Sequence, residues 1–197
     1  MINLINDIKF PTIYDNDFRL ATFKPISDNV FNINYVIVIY KNINENDTIP
    51  LRIHSECKTG ESFKSLRCDC NEQLENMLKF INSANKGMII YLPQEGRGIG
   101  ILDKIKAYDQ QDRYNCDTFQ ANKNLNLEID SRKYDICNEI LIFFKIKNVV
   151  LFTNNKSKFK TIKEKYPMTK RIGTLSTYND YNKKYLDAKK NNENYIY

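Results

Sequence analysis

The chain has 197 residues, 42% of them hydrophobic, enough to bury a core as one domain with at most a small appendage. Its formal charge of +6 is spread along the chain, densest in KSKFKTIKEK and YNKKYLDAKK; that balance suits a polyanionic small ligand as well as nucleic acid, but no basic stripe is interleaved with aromatics, so no nucleic-acid partner is expected. No apolar run of about eighteen residues is present, and MINLINDIKF lacks a basic segment followed by an apolar one, so the expectation is a cytoplasmic protein with no membrane partner.

The first readable element is Asn34 to Tyr40, NYVIVIY, short and rich in β-branched and aromatic residues and therefore strand-like. Asn42 to Thr48 reads as a polar turn, followed by a strand at Ile49 to His54. From Glu72, the residues Leu74, Met77, Leu78 and Ile81 fall on one helical face, and the helix closes near Asn85 to Gly87. Met88 to Leu92, MIIYL, reads as a buried strand. A second helix is expected through Tyr134, Cys137, Ile140, Leu141 and Phe144, then a strand at Val149 to Thr153 and a lysine-rich helix from Ser157 to Lys165. Strands alternating with helices predict an α/β fold, a mixed sheet flanked by helices. We expect one catalytic domain over residues 1–176 and a polar, aromatic-rich, peripheral tail over 177–197.

The cysteines carry the first chemical signal. Five are present, an odd number, and three stand close together in LRIHSECKTGESFKSLRCDC: Cys57, Cys68 and Cys70. Clustered thiols in an odd count point to a metal or a catalytic thiol rather than a disulfide framework. Three thiolates can hold a zinc ion with one position open for water, and an open position distinguishes a catalytic zinc site from a closed structural one. Cys116 and Cys137 lie far downstream and are expected to be small buried residues.

The second signal is PQEGRGIG, residues 93 to 100, directly after the MIIYL strand. Gly96, Gly98 and Gly100 let the backbone approach a ligand closely, while Glu95 and Arg97 bring both charges to a strand's C-terminal end. No Gly-Lys-Ser/Thr follows, so this is not a Walker loop, and the spacing is not that of a dinucleotide fingerprint.

The blocks RIHSEC, SLRCDC, QEGRGIG, the pair Ala107–Tyr108, DTFQAN, LNLEIDSR and LFTNNKSK occur in this order, and together they closely resemble GTP cyclohydrolase II. A weaker block, YLDAK near Tyr185, extends the resemblance into the tail. The resemblance implies hydrolysis of GTP to formate, pyrophosphate and 2,5-diamino-6-ribosylamino-4(3H)-pyrimidinone 5′-phosphate, the first committed step towards riboflavin, in a homodimer. It makes Cys57, Cys68 and Cys70 the ligands of one Zn2+ per chain, whose bound water would supply hydroxide for opening the imidazole ring. Tyr108 would assist ring opening, and Asp130 and Arg132 would act at the α,β-phosphate bond through a guanylyl adduct on the arginine. Because a guanidinium is almost always protonated, clamping phosphate oxygens is the physically safer role for Arg132.

By the same resemblance, GTP is bound by Arg52, Ile53, His54, Ser55 and Glu56 of RIHSEC, by Gln73, by Glu95, Gly96 and Arg97, and by Thr118, Thr153 and Lys158. A carboxylate can accept from both guanine N1–H and the exocyclic amine, which makes Glu56 and Glu95 candidates for the base, with Gln73 nearby. Mg2+ would come with the triphosphate, held mainly by its oxygens. The family pattern is departed from at Pro93, where an arginine is expected before QEG, at Asn115 and Cys116 for Gly and Tyr, and at Gln120 for Glu. Two other readings stay open: a diverged paralogue that stops at partial ring opening or deformylation of a purine nucleotide, and a non-catalytic zinc-binding module, which would need His54 as a fourth ligand.

Overall fold

The computed structural model describes residues 1–26 and 33–197. Seven strands form one sheet: β1 (Ile2–Lys9), β2 (Arg19–Pro25), β3 (Val36–Lys41), β4 (Thr48–Ser55), β5 (Gly87–Leu92), β6 (Asn148–Phe152) and β7 (Lys170–Ile172). Their spatial order is β1-β2-β3-β5-β4-β6-β7. The first half is antiparallel, β1 on β2, β2 on β3 and β3 on β5, whereas β5, β4, β6 and β7 run parallel. The helices are α1 (Lys58–Glu61), α2 (Cys70–Ala84), α3 (Gly100–Tyr114), α4 (Thr118–Asn124), α5 (Ile136–Phe143), α6 (Lys156–Lys165) and α7 (Lys183–Lys190). The mixed sheet flanked by helices is therefore the architecture expected from the alternation of patterns.

The central strand β5 explains its own sequence. Met88, Ile90 and Leu92 join the large core with Leu51, Ile53, Leu151, Ile136 and Ile140, while Ile89 faces the other way, onto Met77, Leu78 and Ile81 of α2. A strand covered on both faces reads as an unbroken apolar run rather than an alternation. In β4 the alternation survives: Ile49, Leu51 and Ile53 enter the large core, which sends Arg52 and His54 to the opposite face.

Element boundaries shift slightly from expectation. The α2 helix begins at Cys70, two residues before Glu72, and ends on Asn85 in the left-handed conformation that asparagine tolerates. The hairpin β1–β2 was not legible, because β1 is an edge strand with mostly exposed residues and no apolar alternation. Cys137 is fully buried as expected, but Cys116 is half-exposed at the end of α3, its thiol near the Gln110 carbonyl. The segment after Ser176, expected at the periphery, contains α7, whose Leu186 and Lys189 are buried.

Candidate active site

The parallel strands β4, β5 and β6 end at the same edge of the sheet, the usual place for a ligand in such folds. There Ser55 to Cys57, Gln94 to Arg97 and Thr153 to Asn155 surround an open cleft. One side of this cleft is a thiol cluster and the other a group of buried cations.

Cys57 follows β4, and Cys68 and Cys70 lie at the start of α2. Their sulfurs all fall within 4.8 Å of one another, with Cys57 and Cys68 3.6 Å apart. Two sulfurs on a tetrahedral zinc with Zn–S near 2.3 Å stand about 3.8 Å apart, so the cluster fits that ion. Gly60 of α1 permits the approach: a Cβ there would sit 3.0 Å from the Cys68 sulfur and 3.2 Å from that of Cys57. Hydrogen bonds from Cys68 and Cys70 hold the Cys57 thiol far below its ordinary value, while those two keep their protons above it. Binding a divalent ion would release those protons.

His54 does not complete the cluster. Its Nδ1 accepts from Arg52 Nε at 3.0 Å, and its Nε2 donates to Glu61 Oε1 at 2.9 Å. Burial, with Arg52 and Lys158 nearby, drives its pKa well down, so the ring is neutral and both nitrogens are engaged. The fourth ligand required by a closed structural site is absent from the cluster among the described residues. A non-catalytic zinc module thus loses the residue it depended on.

Several residues around the thiols carried no signal in the sequence. Lys104 of α3 donates to Cys57 Sγ at 3.1 Å, Thr59 Oγ1 at 2.8 Å and Glu95 Oε1 at 2.7 Å. Burial opposes its charge, but the Cys57 thiolate, Tyr108 and Glu95 hold its pKa above the ordinary lysine value. Glu61 accepts from Tyr91 Oη at 2.6 Å and from the Cys57 amide at 2.9 Å, and burial pushes its pKa up to about 7. Tyr108 reaches Thr59 Oγ1 at 3.5 Å, and the Arg67 guanidinium lies 4.8 Å from its ring. Burial raises the Tyr108 pKa, so the phenol keeps its proton at neutral pH.

Arg52, Arg132 and Lys158 also line this cleft, Arg52 close enough to Asp69 and Cys70 to feel their charge. Arg52 donates to Gln73 Oε1 at 2.5 Å, and burial brings its pKa down to about 10. Lys158 donates to the Ile53 carbonyl at 3.0 Å; burial, Arg132 and Arg52 together depress its pKa well below that of a free lysine. Arg132 makes a two-point bond to Asp130, Nε to Oδ1 at 2.8 Å and Nη2 to Oδ2 at 2.5 Å, and reaches Ser55 Oγ at 3.4 Å. Despite burial, its pKa stays well above the ordinary value, with Tyr134 and Asp130 favouring the charge.

The Glu95–Gly98 turn joins the two sides. Gly96 and Arg97 both have positive φ, 63° and 62°, a strained conformation for an arginine and one often found at functional sites. Gly98 makes room for this chain's own Ser131, since a Cβ there would lie 2.2 Å from Ser131 Oγ. The close approach enabled by that glycine therefore brings Asp130 and Arg132 to the cleft. Arg97 donates to Thr118 Oγ1 at 3.0 Å, leaving its buried Nη2 without a partner. Thr153, at the end of β6, accepts from the Asn155 amide at 3.1 Å.

The three base-recognition candidates differ in what they have left to offer. Glu95 accepts from Lys104 and from the Lys58 amide at 2.7 Å, and Gln73 is held between Arg52 and Asp69 Oδ2. Glu56 makes only a loose pairing with Lys58 at 3.5 Å, and burial raises its pKa. None of the departing positions Pro93, Asn115, Cys116 and Gln120 lines the main cleft. Asn115 takes the left-handed position that ends α3, which explains how it replaces a glycine.

Known proteins resemble this chain over its full length. Residues 3–167 match the family described as GTP cyclohydrolase II. A protein named GTP cyclohydrolase-2 from Picrophilus torridus is 36% identical over the whole of both chains. Proteins of the same name from Acinetobacter baumannii and Campylobacter hominis are 39% and 40% identical, the first aligned over all of this chain and 96% of its own, the second over 96% and 93%.

Proposed function

We infer the reaction from one premise: the chain belongs to the GTP cyclohydrolase II family. It is a hydrolase of that family, and the proposed reaction is zinc-dependent conversion of GTP to formate, pyrophosphate and 2,5-diamino-6-ribosylamino-4(3H)-pyrimidinone 5′-phosphate. The observation that carries this reading is one cleft lined by a three-thiol cluster and by buried cations, among them a lysine whose charge is disfavoured by burial and by two neighbouring arginines. A zinc ion held by Cys57, Cys68 and Cys70 would lower the pKa of water for attack at guanine C8. Lys158, its charge disfavoured by burial and by Arg132 and Arg52, gains from a polyanion, and a triphosphate relieves that repulsion.

Each side chain then has a role that follows from its partners. Arg52, Arg97, Arg132 and Lys158 bind the triphosphate, with Thr118 and Thr153 fixing the loops that present them, and Mg2+ accompanies the phosphates. Arg132, protonated and gripped by Asp130, clamps phosphate oxygens as charge develops during pyrophosphate release; its high pKa argues against a nucleophilic role. Tyr108, protonated and directed to Thr59 beside Cys57, is placed to donate a proton or hydrogen bond as the imidazole opens. Glu56, with acceptor capacity still free, receives the guanine N1–H and amine, whereas Glu95 holds Lys104 and the α1 terminus. The exposed Leu4, Ile5 and Ile8 along edge strand β1 support the two-copy assembly, which light scattering tests.

The deciding experiment incubates zinc-loaded protein with GTP and Mg2+, identifies products by mass spectrometry, and quantifies formate and pyrophosphate in the same samples. Equal amounts of formate, pyrophosphate and the diaminopyrimidinone phosphate are expected. A product that retains the formyl group replaces this reading with the partial reaction of a diverged paralogue, and untouched GTP rejects it.

A further inference from the structure

The block YLDAK, Tyr185 to Lys189, lies beyond the 3–167 region that matches the family, and no step above uses it. Yet α7 carries Lys189 into the protein, where its Nζ donates to both oxygens of Asp69, at 2.9 and 3.2 Å. Asp69 stands between Cys68 and Cys70, its side chain fully buried, and also accepts from Ser176 Oγ and Gln73 Nε2, both at 2.6 Å. A buried carboxylate so placed needs its cation, and among the described residues the one that forms an ion pair with it is Lys189 of the C-terminal helix. The far end of the segment is fastened to the loop after β6: the Ile196 amide donates to the Asn154 carbonyl at 2.7 Å, and the Lys156 amide to the Asn194 carbonyl at 2.9 Å.

The segment therefore spans the cleft from the cysteine pair to the loop that carries Thr153 and leads to Lys158. It places Tyr185, one helical turn before Lys189, and Tyr195, at the far anchor, in the cleft wall. The Tyr185 ring lies 5.8 Å from the Arg97 guanidinium and 4.6 Å from Lys189 Nζ, and the Tyr195 ring 5.8 Å from the same ammonium. Burial alone would raise the Tyr195 pKa, but Arg132, Arg97 and Lys189 together bring it below the ordinary value, which locates that phenol among the cations that face the phosphates. Arg97, whose buried Nη2 has no partner among the described residues, lines the same cleft.

We propose that residues 177–197 form a strap that completes the nucleotide site, with Lys189 as the positioning residue that ties it to the cysteine pair and Tyr195 donating its hydroxyl to the bound triphosphate. The proposal rests on the assignment of this cleft to GTP. A phenol held among phosphate-binding cations supplies a hydrogen-bond donor without adding to their repulsion. The strap also covers the phosphates from solvent, which strengthens every contact beneath it.

The test uses full-length, zinc-loaded protein as wild type, Tyr195→Phe and Lys189→Met. It measures GTP turnover, calorimetric binding of a GTP analogue with an α,β-methylene bridge, zinc content and thermal stability. Tyr195→Phe should weaken analogue binding and raise KM about tenfold, the worth of one hydrogen bond to a charged group, with zinc content and stability unchanged. Lys189→Met should weaken binding further, lose zinc, and raise KM more than it lowers kcat. Wild-type affinity in both variants overturns the strap; so does a defect in Lys189→Met that only follows lost stability while Tyr195→Phe behaves as wild type. A wild-type chain that binds the analogue but releases neither formate nor pyrophosphate sinks the activity reading, while the variants still decide the strap. Absence of analogue binding to the wild type overturns both.

Discussion

The two sides of the cleft follow opposite electrostatic designs. On the thiol side every charge already has a partner: Lys104 sits between Cys57 and Glu95, and Asp69 is paired with Lys189. On the cation side Lys158 meets Arg132 and Arg52, and it finds relief in the Ile53 carbonyl, in Asp130 and Cys137, and over the Tyr134 ring. The first arrangement holds three sulfurs in a fixed geometry before a metal arrives. The second stores repulsion that an incoming polyanion removes. If the thiols hold an ion and the cations a polyanionic substrate, that division serves both, because preorganisation suits the resident group and crowded positive charge suits the visitor.

The sharpest way to break the comparison is to remove one sulfur. Cys68→Ser is expected to abolish formate release and leave the purified protein without stoichiometric zinc, measured by atomic absorption; normal activity in zinc-free Cys68→Ser would reject the thiol side as the reactive one. The next largest effect belongs to the other side. Arg132→Ala should slow pyrophosphate release by about 10²–10³-fold, the usual cost of deleting a donor aimed at developing charge, while zinc content stays at the wild-type level. If Arg132→Ala instead loses metal, the two sides are not independent.

Much of this contrast was written in the residues themselves. Strands β3 and β5 declare themselves through VIVIY and MIIYL, and α2 through the spacing of Leu74, Met77, Leu78 and Ile81. The three cysteines and the arginines sit in compact blocks, so their meeting at one sheet edge was foreseeable. Other parts acquire meaning only from partners distant in sequence. Asp69 looks like a spacer between two cysteines until Lys189 reaches it, and Lys104 looks like one more surface lysine on α3 until Cys57 and Glu95 bracket it. Glu61 likewise becomes visible only through Tyr91 and His54. The glycines of PQEGRGIG signalled close approach correctly, but at Gly98 what approaches is Ser131 of the same chain.

A smaller perturbation sharpens the comparison from the thiol side without touching a sulfur. Lys104→Met removes the hydrogen bond to Cys57 and leaves Glu95 buried without its cation. Zinc affinity should fall about 10–100-fold, as is usual when a group supporting a metal ligand is lost, and stability by about 3–5 kcal/mol for the broken buried pair. Competition with a chelator and thermal denaturation measure the two effects separately. GTP-analogue affinity, which depends on the opposite side, should change far less.

The smallest expected effect is the control on which the others depend. Cys116 is the one remaining cysteine outside the cluster that is not fully buried; its thiol touches the Gln110 carbonyl, and it does not line the cleft. Cys116→Ser replaces a weak donor with a hydroxyl at a half-exposed position, so stability should stay within about 0.5 kcal/mol of wild type. Zinc content and formate release should be unchanged. A loss of zinc in Cys116→Ser would mean that the metal recruits a thiol from outside the cluster, and the division between a prearranged thiol side and a crowded cation side would have to be redrawn.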